Sequence, residues 1–179
     1  SELAQFASVE QQVDTNTNLK TLISLTQDGQ QTTDMALVGK TATANTTQLP
    51  LQNGNASISF TTSSAEPIAI AVTDSSGTLV KTVEGTSVAG VNTWTWDGTN
   101  SSGTQLSDGS YSVAVETEDS SGNMTAVPFT VTGTVTGITR NGDTIYVKMG
   151  DSVIDMSDIA SFTDLALIPL RRRPRSGER

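Results

Sequence analysis

Between Asn53 and Val131 the chain alternates apolar and polar residues in short runs, with clusters of Gly, Asn, Asp and Ser between them. Ile58 and Phe60 share one face of Ser57 to Thr61, and Ile68, Ile70 and Val72 alternate in the next run. Asp74-Ser-Ser-Gly77 interrupts the pattern, Leu79 to Val83 resumes it, and Val91 to Trp96, Tyr111 to Val115 and Val127 to Val131 follow. A period of two sends successive side chains to opposite faces, which is the signature of a half-buried strand. Six or seven such runs, each bounded by turn residues, predict an immunoglobulin- or fibronectin III-like β-sandwich over residues 53–131. A second β unit follows: Val135 to Arg140 and Thr144 to Met149 flank Asn141-Gly142-Asp143, and Asp151 to Ile159 adds a strand. Asn-Gly between two strands is the strongest short hairpin signal. This piece is too short to enclose a core alone, and the spacing permits its completion by residues 35–52.

The period changes at the other end. Residues 1–28 contain neither Pro nor Gly, and Leu3, Phe6, Val9, Val13, Leu19, Leu22, Ile23 and Leu25 recur mostly at three- or four-residue steps. That spacing predicts an amphipathic helix of up to roughly 42 Å at 1.5 Å per residue. Its Thr and Asn are weak helix formers, so it needs an apolar partner. The cover is either the protein's own β body or a second copy. Self-association is the simplest cover, which makes Leu3, Phe6, Val9, Val13, Leu19 and Leu22 the candidate self-assembly residues. Gly29 ends or bends the helix, and residues 28–34 read as a polar linker, so that residues 1–34 form one unit.

Charge narrows the possible partners. The formal net charge is −9, but residues 166–179 hold five Arg and one Glu. The rest of the chain carries five basic and eighteen acidic residues, a net of −13, which repels nucleic acid and anionic membranes. The basic end is an interaction tail or a vector-derived or read-through extension, and it is expected to be poorly ordered. No run of about 20 apolar residues exists to insert in a membrane.

Candidate chemistry is thin. Neither Cys nor His is present, which removes disulfides, thiolate metal sites, and catalysis that uses a histidine base. Trp94 and Trp96 share a strand face. They are either an aromatic platform for sugars or a partner, or part of the sandwich core, and the core is the expectation for at least one. Tyr111 reads as a structural residue at a strand start. Asp74-Ser-Ser-Gly77, Asn100-Ser-Ser-Gly103 and Asp119-Ser-Ser-Gly122 resemble one another, but each has too few acidic ligands for a calcium loop and reads as a tight turn. Asp97 and Asp108 on one loop are a carboxylate pair without a visible substrate cleft. No catalytic residue, metal or cofactor is expected, and the chain is read as a non-enzyme.

Three motifs carry a resemblance. Trp96-Asp97-Gly98, followed by Gly109-Ser110-Tyr111, is similar to the immunoglobulin-like domain of the bacterial flagellar hook-capping family, the basal-body rod modification proteins. Residues Ser1 to Gln12 resemble the "QLAQFSxVEQ" segment of that family, and Leu37-Val38-Gly39-Lys40 resembles its "LVGK". The motifs fall in family order over roughly residues 1–165. The resemblance implies that the sandwich is inserted in a small discontinuous tudor-like β-barrel, residues 35–52 plus 132–165, preceded by the N-terminal amphipathic helix. It also implies a scaffold at the distal, extracellular tip of the growing flagellar hook, where a ring-like homo-oligomeric cap promotes polymerisation of the hook structural protein in a chaperone-like way. A further N-terminal region typical of the family is missing before Ser1, so the chain is expected to be a fragment. The alternative reading is a carbohydrate-binding or adhesive surface module resting on the Trp pair.

Overall fold

The computed structural model describes residues 36–163. The helix and linker expected over residues 1–34, with Leu3, Phe6, Val9, Val13, Leu19 and Leu22, and the basic end at 166–179 lie outside the described residues. Within them the fold is mainly β, with thirteen strands and one 3-10 turn at Met156–Asp158. The strands are β1 (Thr41–Ala44), β2 (Gln48–Leu51), β3 (Ala56–Thr62), β4 (Pro67–Thr73), β5 (Leu79–Thr86), β6 (Gly90–Trp96) and β7 (Gly109–Glu118). They continue with β8 (Met124–Ala126), β9 (Phe129–Thr134), β10 (Gly137–Asn141), β11 (Thr144–Met149), β12 (Ser152–Asp155) and β13 (Ile159–Thr163).

Two antiparallel sheets form the sandwich. One has the order β13-β1-β9-β3-β6; the other has the order β2-β7-β4-β5, with β8 pairing the far half of β7. The alternation read in the sequence is what the strands bury. Ala56, Ile58 and Phe60 of β3, Ile70 and Val72 of β4, Val113 and Val115 of β7, and Val131 of β9 all point between the sheets. Fully burying a side chain of Val, Ile or Phe size is worth about 1.5–3 kcal/mol, so the two-residue period itself fixes which face turns inward.

A smaller core lies beyond one end of the sandwich. Leu37, Ala42, Ala44, Val135, Val147, Met149, Ile154, Met156 and Ile159 are buried there, beneath the three-stranded sheet β10-β11-β12. The expected hairpin around Asn141-Gly142 is present, with Asn141 opposite Thr144 and Gly142 at φ 62°. The sheets are not closed: no ladder joins β12 to β13 or β10 to β9. The small unit is therefore a pair of open sheets over a shared core, where the resemblance implies a barrel.

The units meet differently from the expected boundary at residues 52 and 53. β2, grouped from sequence with the small unit, pairs with β7 and puts Leu49 and Leu51 into the larger core. β9 belongs to both units. Its residues 129–132 pair with β3, with Phe129 opposite Phe60, and its residues 131–134 pair with β1, with Thr134 opposite Thr41. One unbroken strand thus runs through the junction.

Candidate functional site

The residues singled out for chemistry are engaged in structure. Trp96 is 1% exposed, its indole N–H donates to the Thr99 carbonyl at 2.8 Å, and its ring meets Tyr111 edge-on at 5.1 Å. Trp94 faces the same core and is half-buried. The pair serves packing: Trp96 is enclosed, and Trp94 lies against the same core with only part of its side chain exposed. The Tyr111 hydroxyl donates to the Ser107 carbonyl at 2.7 Å, tying the start of β7 to the loop before it, the arrangement of a tyrosine corner. Burial, then the carboxylates of Asp74 and Asp108, push its phenol up from the ordinary value.

The three similar loops share one geometry. In each, the Asp or Asn side chain accepts from the backbone N–H groups two and four residues on: Ser76 and Thr78 for Asp74, Ser102 and Thr104 for Asn100, Ser121 and Asn123 for Asp119. The glycine at the fourth position has φ 83–84° in all three, a region glycine enters without steric cost. These are side-chain-capped turns, as the sequence reading expects. The carboxylate of Asp74 is held below its ordinary range mainly by the Ser76 hydroxyl, and that of Asp119 mainly by the Asn123 backbone N–H.

Asp97 and Asp108 do not form a pair across a cleft. Asp97 accepts from the hydroxyl and backbone N–H of Thr99, which lower its pKa in that order. Asp108 accepts from the backbone N–H groups of Asn53 and Gly54 at 2.6 and 2.9 Å, stabilising a turn in which both residues have positive φ. Among the described residues no three His, Cys, Asp or Glu side chains converge to hold a metal ion.

What the structure does present is a pair of joined units with two contrasting faces. The join was not foreseen. On β2, Leu49 and Leu51 face the large core, while Gln48 and Pro50, and Gln52 just after the strand, lie on the side of the small unit. The Gln52 amide makes two bonds to the Thr134 backbone: its Nε2 donates to the carbonyl at 2.9 Å and its Oε1 accepts from the N–H at 2.8 Å. β3 begins at Ala56 and sets Ser57 opposite Thr132, so the Gln52 amide fills the next ladder position on β9. Gln48 makes the same pair of bonds to Val153 on the free side of β12, at 3.0 and 3.3 Å. The Ser110 and Ser152 hydroxyls lie 2.8 Å apart beside it. The available signal was the polar row at 48 and 52, opposite the two buried leucines.

The outer face of the first sheet is uncharged. Register places Ser59 between Thr93 and Thr130, and Thr132 between Ser57 and Thr43, whose hydroxyl lies 3.4 Å from that of Thr132. Every outward position of β1, β3 and β9 is Ser or Thr, and β6 adds Val91, Thr93 and Thr95. The outer face of the second sheet is acidic instead, with Ala69 flanked by Glu84 and Glu116, and Glu118 further along β7. A shallow open recess of about 350 Å³ on the first face is bordered by Asn45, Thr61, Val91 and Pro128.

Comparison with known proteins bears on what such a body does. A family model described as the FlgD Ig-like domain matches residues 44–121. The basal-body rod modification protein FlgD of Salmonella typhimurium is 32% identical over 87 residues, covering 48% of this chain and 37% of that protein. FlgD of Escherichia coli is 28% identical over 138 residues, covering 72% of this chain and 60% of that protein. The chain thus spans less than two thirds of the length of these curated relatives. Its fold is shared by FlgD from Xanthomonas campestris, described in terms of hook capping essential for flagellar assembly, with TM-score 0.60 and 24% identity over 72% of this chain and 95% of that one. It is also shared by FlgD from Pseudomonas aeruginosa, with TM-score 0.57 and 23% identity over 69% and 95%.

Proposed function

The chain belongs to the flagellar hook-capping family, and from that premise we propose that it is a scaffold of the cap at the distal tip of the growing hook. There it promotes the ordered addition of hook structural subunits outside the cell, and no catalytic step is assigned to it. The observation that carries this reading is the FlgD Ig-like match over residues 44–121, which falls on a body whose aspartates and aromatic rings already hold turns and core. Such a body acts by shape and by repeated weak contact. A strand common to both units and two glutamine clamps support its use as one rigid piece. We read the small unit as the tudor-like element of the family in a partly open form.

Self-association is assigned to residues 1–34 through Leu3, Phe6, Val9, Val13, Leu19 and Leu22, so that several copies form a ring. Light scattering of the full chain against a chain starting at Asp34 tests this. The longer chain is expected to assemble and the shorter one to do so more weakly; equal assembly overturns the assignment. The capping role is tested by adding the full chain to purified hook structural protein and following polymerisation by light scattering and electron microscopy. Faster growth with the chain bound at filament ends is the expected result. Unchanged growth and no binding overturns it.

A further inference from the structure

The free edge of the first sheet takes part in none of the contacts described above. β6 pairs with β3 alone, in an unbroken register from Gly90 opposite Thr62 to Trp96 opposite Ala56. Its outward row is Val91, Thr93 and Thr95, and Val91 is 69% exposed. Proteins blunt sheet edges with charge, proline, bulges or shortness. The other edges in the described residues use these devices. β5 carries Lys81 and Glu84 and shifts register against β4; β13 shifts register against β1; β10 carries Arg140. β2 contains Pro50, and β8 and β12 have three and four residues. β6 has seven residues and none of these protections. A long edge in that state is a template for a strand from another chain.

We propose that β6 pairs antiparallel with β6 of a second copy, about a two-fold axis at Thr93. The chemistry of the strand is self-complementary in that register. Thr93 meets its own copy and Val91 meets Thr95 on both sides of the axis, and cross-strand pairs of this kind are favourable. Charge selects the same face. Residues 36–163 carry twelve carboxylates and four cationic side chains, so two copies repel through most approaches. In the proposed register Asp97 falls opposite uncharged Ala89, and no carboxylate opposes another along the strand. The contact is small. A strand of about 23 Å across a sandwich edge about 10 Å deep buries on the order of 500 Å² in total, against the roughly 1,200 Å² of a stable complex. The pairing is therefore transient between free copies and populated when another contact holds copies together at high effective concentration.

The absence of cysteine makes the test clean. Thr93→Cys places the molecule's one thiol at the axis. Opposed Cα atoms of an antiparallel pair are about 4.5–5.5 Å apart, inside the range a disulfide spans. Under mild oxidation the full Thr93→Cys chain is expected to form a disulfide-linked dimer about tenfold faster than Thr61→Cys, which puts an exposed thiol on the same face away from the edge. Adding Val91→Lys to Thr93→Cys is expected to bring the rate down to the Thr61→Cys level with an unchanged melting curve. Equal rates at positions 61 and 93, insensitivity to Val91→Lys, or capture of a different protein in place of a second copy would each overturn the proposal. The measurement needs no hook protein, so its failure leaves the capping role standing.

Discussion

Replacing Gln52 by Ala isolates the device that joins the two units. The side chain gives the Thr134 backbone both of its partners on that side, at 2.8 and 2.9 Å. A neutral hydrogen bond contributes about 0.5–1.5 kcal/mol net, so two are worth about 1–3 kcal/mol. Thr134 is exposed, and water replaces part of what is lost. The expected global cost is therefore near the lower end, about 1 kcal/mol. The loss is felt at the junction, because Thr134 is the last residue of β9, where β3 no longer reaches. Native-state hydrogen exchange reads that amide directly. With about 1 kcal/mol lost from the native state, the opening that frees this amide becomes easier by the same amount, so Gln52→Ala speeds exchange at Thr134 by about 5-fold, while amides of β4 and β7 stay protected. Gln48→Ala does the same for the Val153 amide. If the Thr134 amide exchanges at its original rate in the Gln52 variant, the clamp does not hold the junction and β9 alone does.

Gly133 marks the point where the two cores touch. A Cβ there would lie 2.9 Å from both the Met149 sulfur and the Pro50 ring, so Gly133→Ala is expected to cost about 1–3 kcal/mol by overpacking, read as a lower midpoint in urea. Tyr111→Phe deletes the bond to the Ser107 carbonyl, with an expected loss of about 1 kcal/mol in the same assay. Asp74, Asp97 and Asp119 ionise below the ordinary 3.8 because hydroxyl and backbone N–H groups favour their charged forms. Near that pH the folded chain binds fewer protons than the unfolded one. The stabilisation is therefore full above about pH 5 and lost as pH falls below 3.8 through the folded values. Asp74→Asn and Asp119→Asn reproduce the geometry that Asn100 already adopts, so each is expected to keep its turn at pH 7 and shift acid unfolding to lower pH, followed by circular dichroism.

The sandwich was legible because its strands obey one rule. Ile58 and Phe60, Ile70 and Val72, and Val113 and Val115 each sit two apart, and each pair is buried. The turns were legible for a similar reason, since Asp or Asn three residues before Gly is a local solution that needs no tertiary partner. β2 broke the rule. Gln48-Leu49-Pro50-Leu51 has no polar face open to solvent, because one side packs on the large core and the other on the small unit. A four-residue strand packed on both sides gives only the short polar row at 48 and 52 opposite its leucines, and its allegiance depends on partners that are distant in sequence, such as Ser112 and Val153.

The two outer faces of the sandwich were the least legible of all. Ser and Thr dominate the chain, and in any one strand an outward Thr is unremarked. Only register turns them into a face: Thr43, Thr132, Ser57 and Thr95 stand in one row across four strands, although they come from four separate parts of the sequence. The acidic face arises the same way, from Glu84 and Glu116 on either side of Ala69. A body that is neutral on one side and acidic on the other is biased in how it meets copies of itself. Like charge keeps the acidic sides apart at a range set by salt, about 8 Å under physiological conditions, while the neutral side approaches without that cost. Orientation of one copy against another then needs no strong bond, only a weak one on the side that electrostatics leaves open.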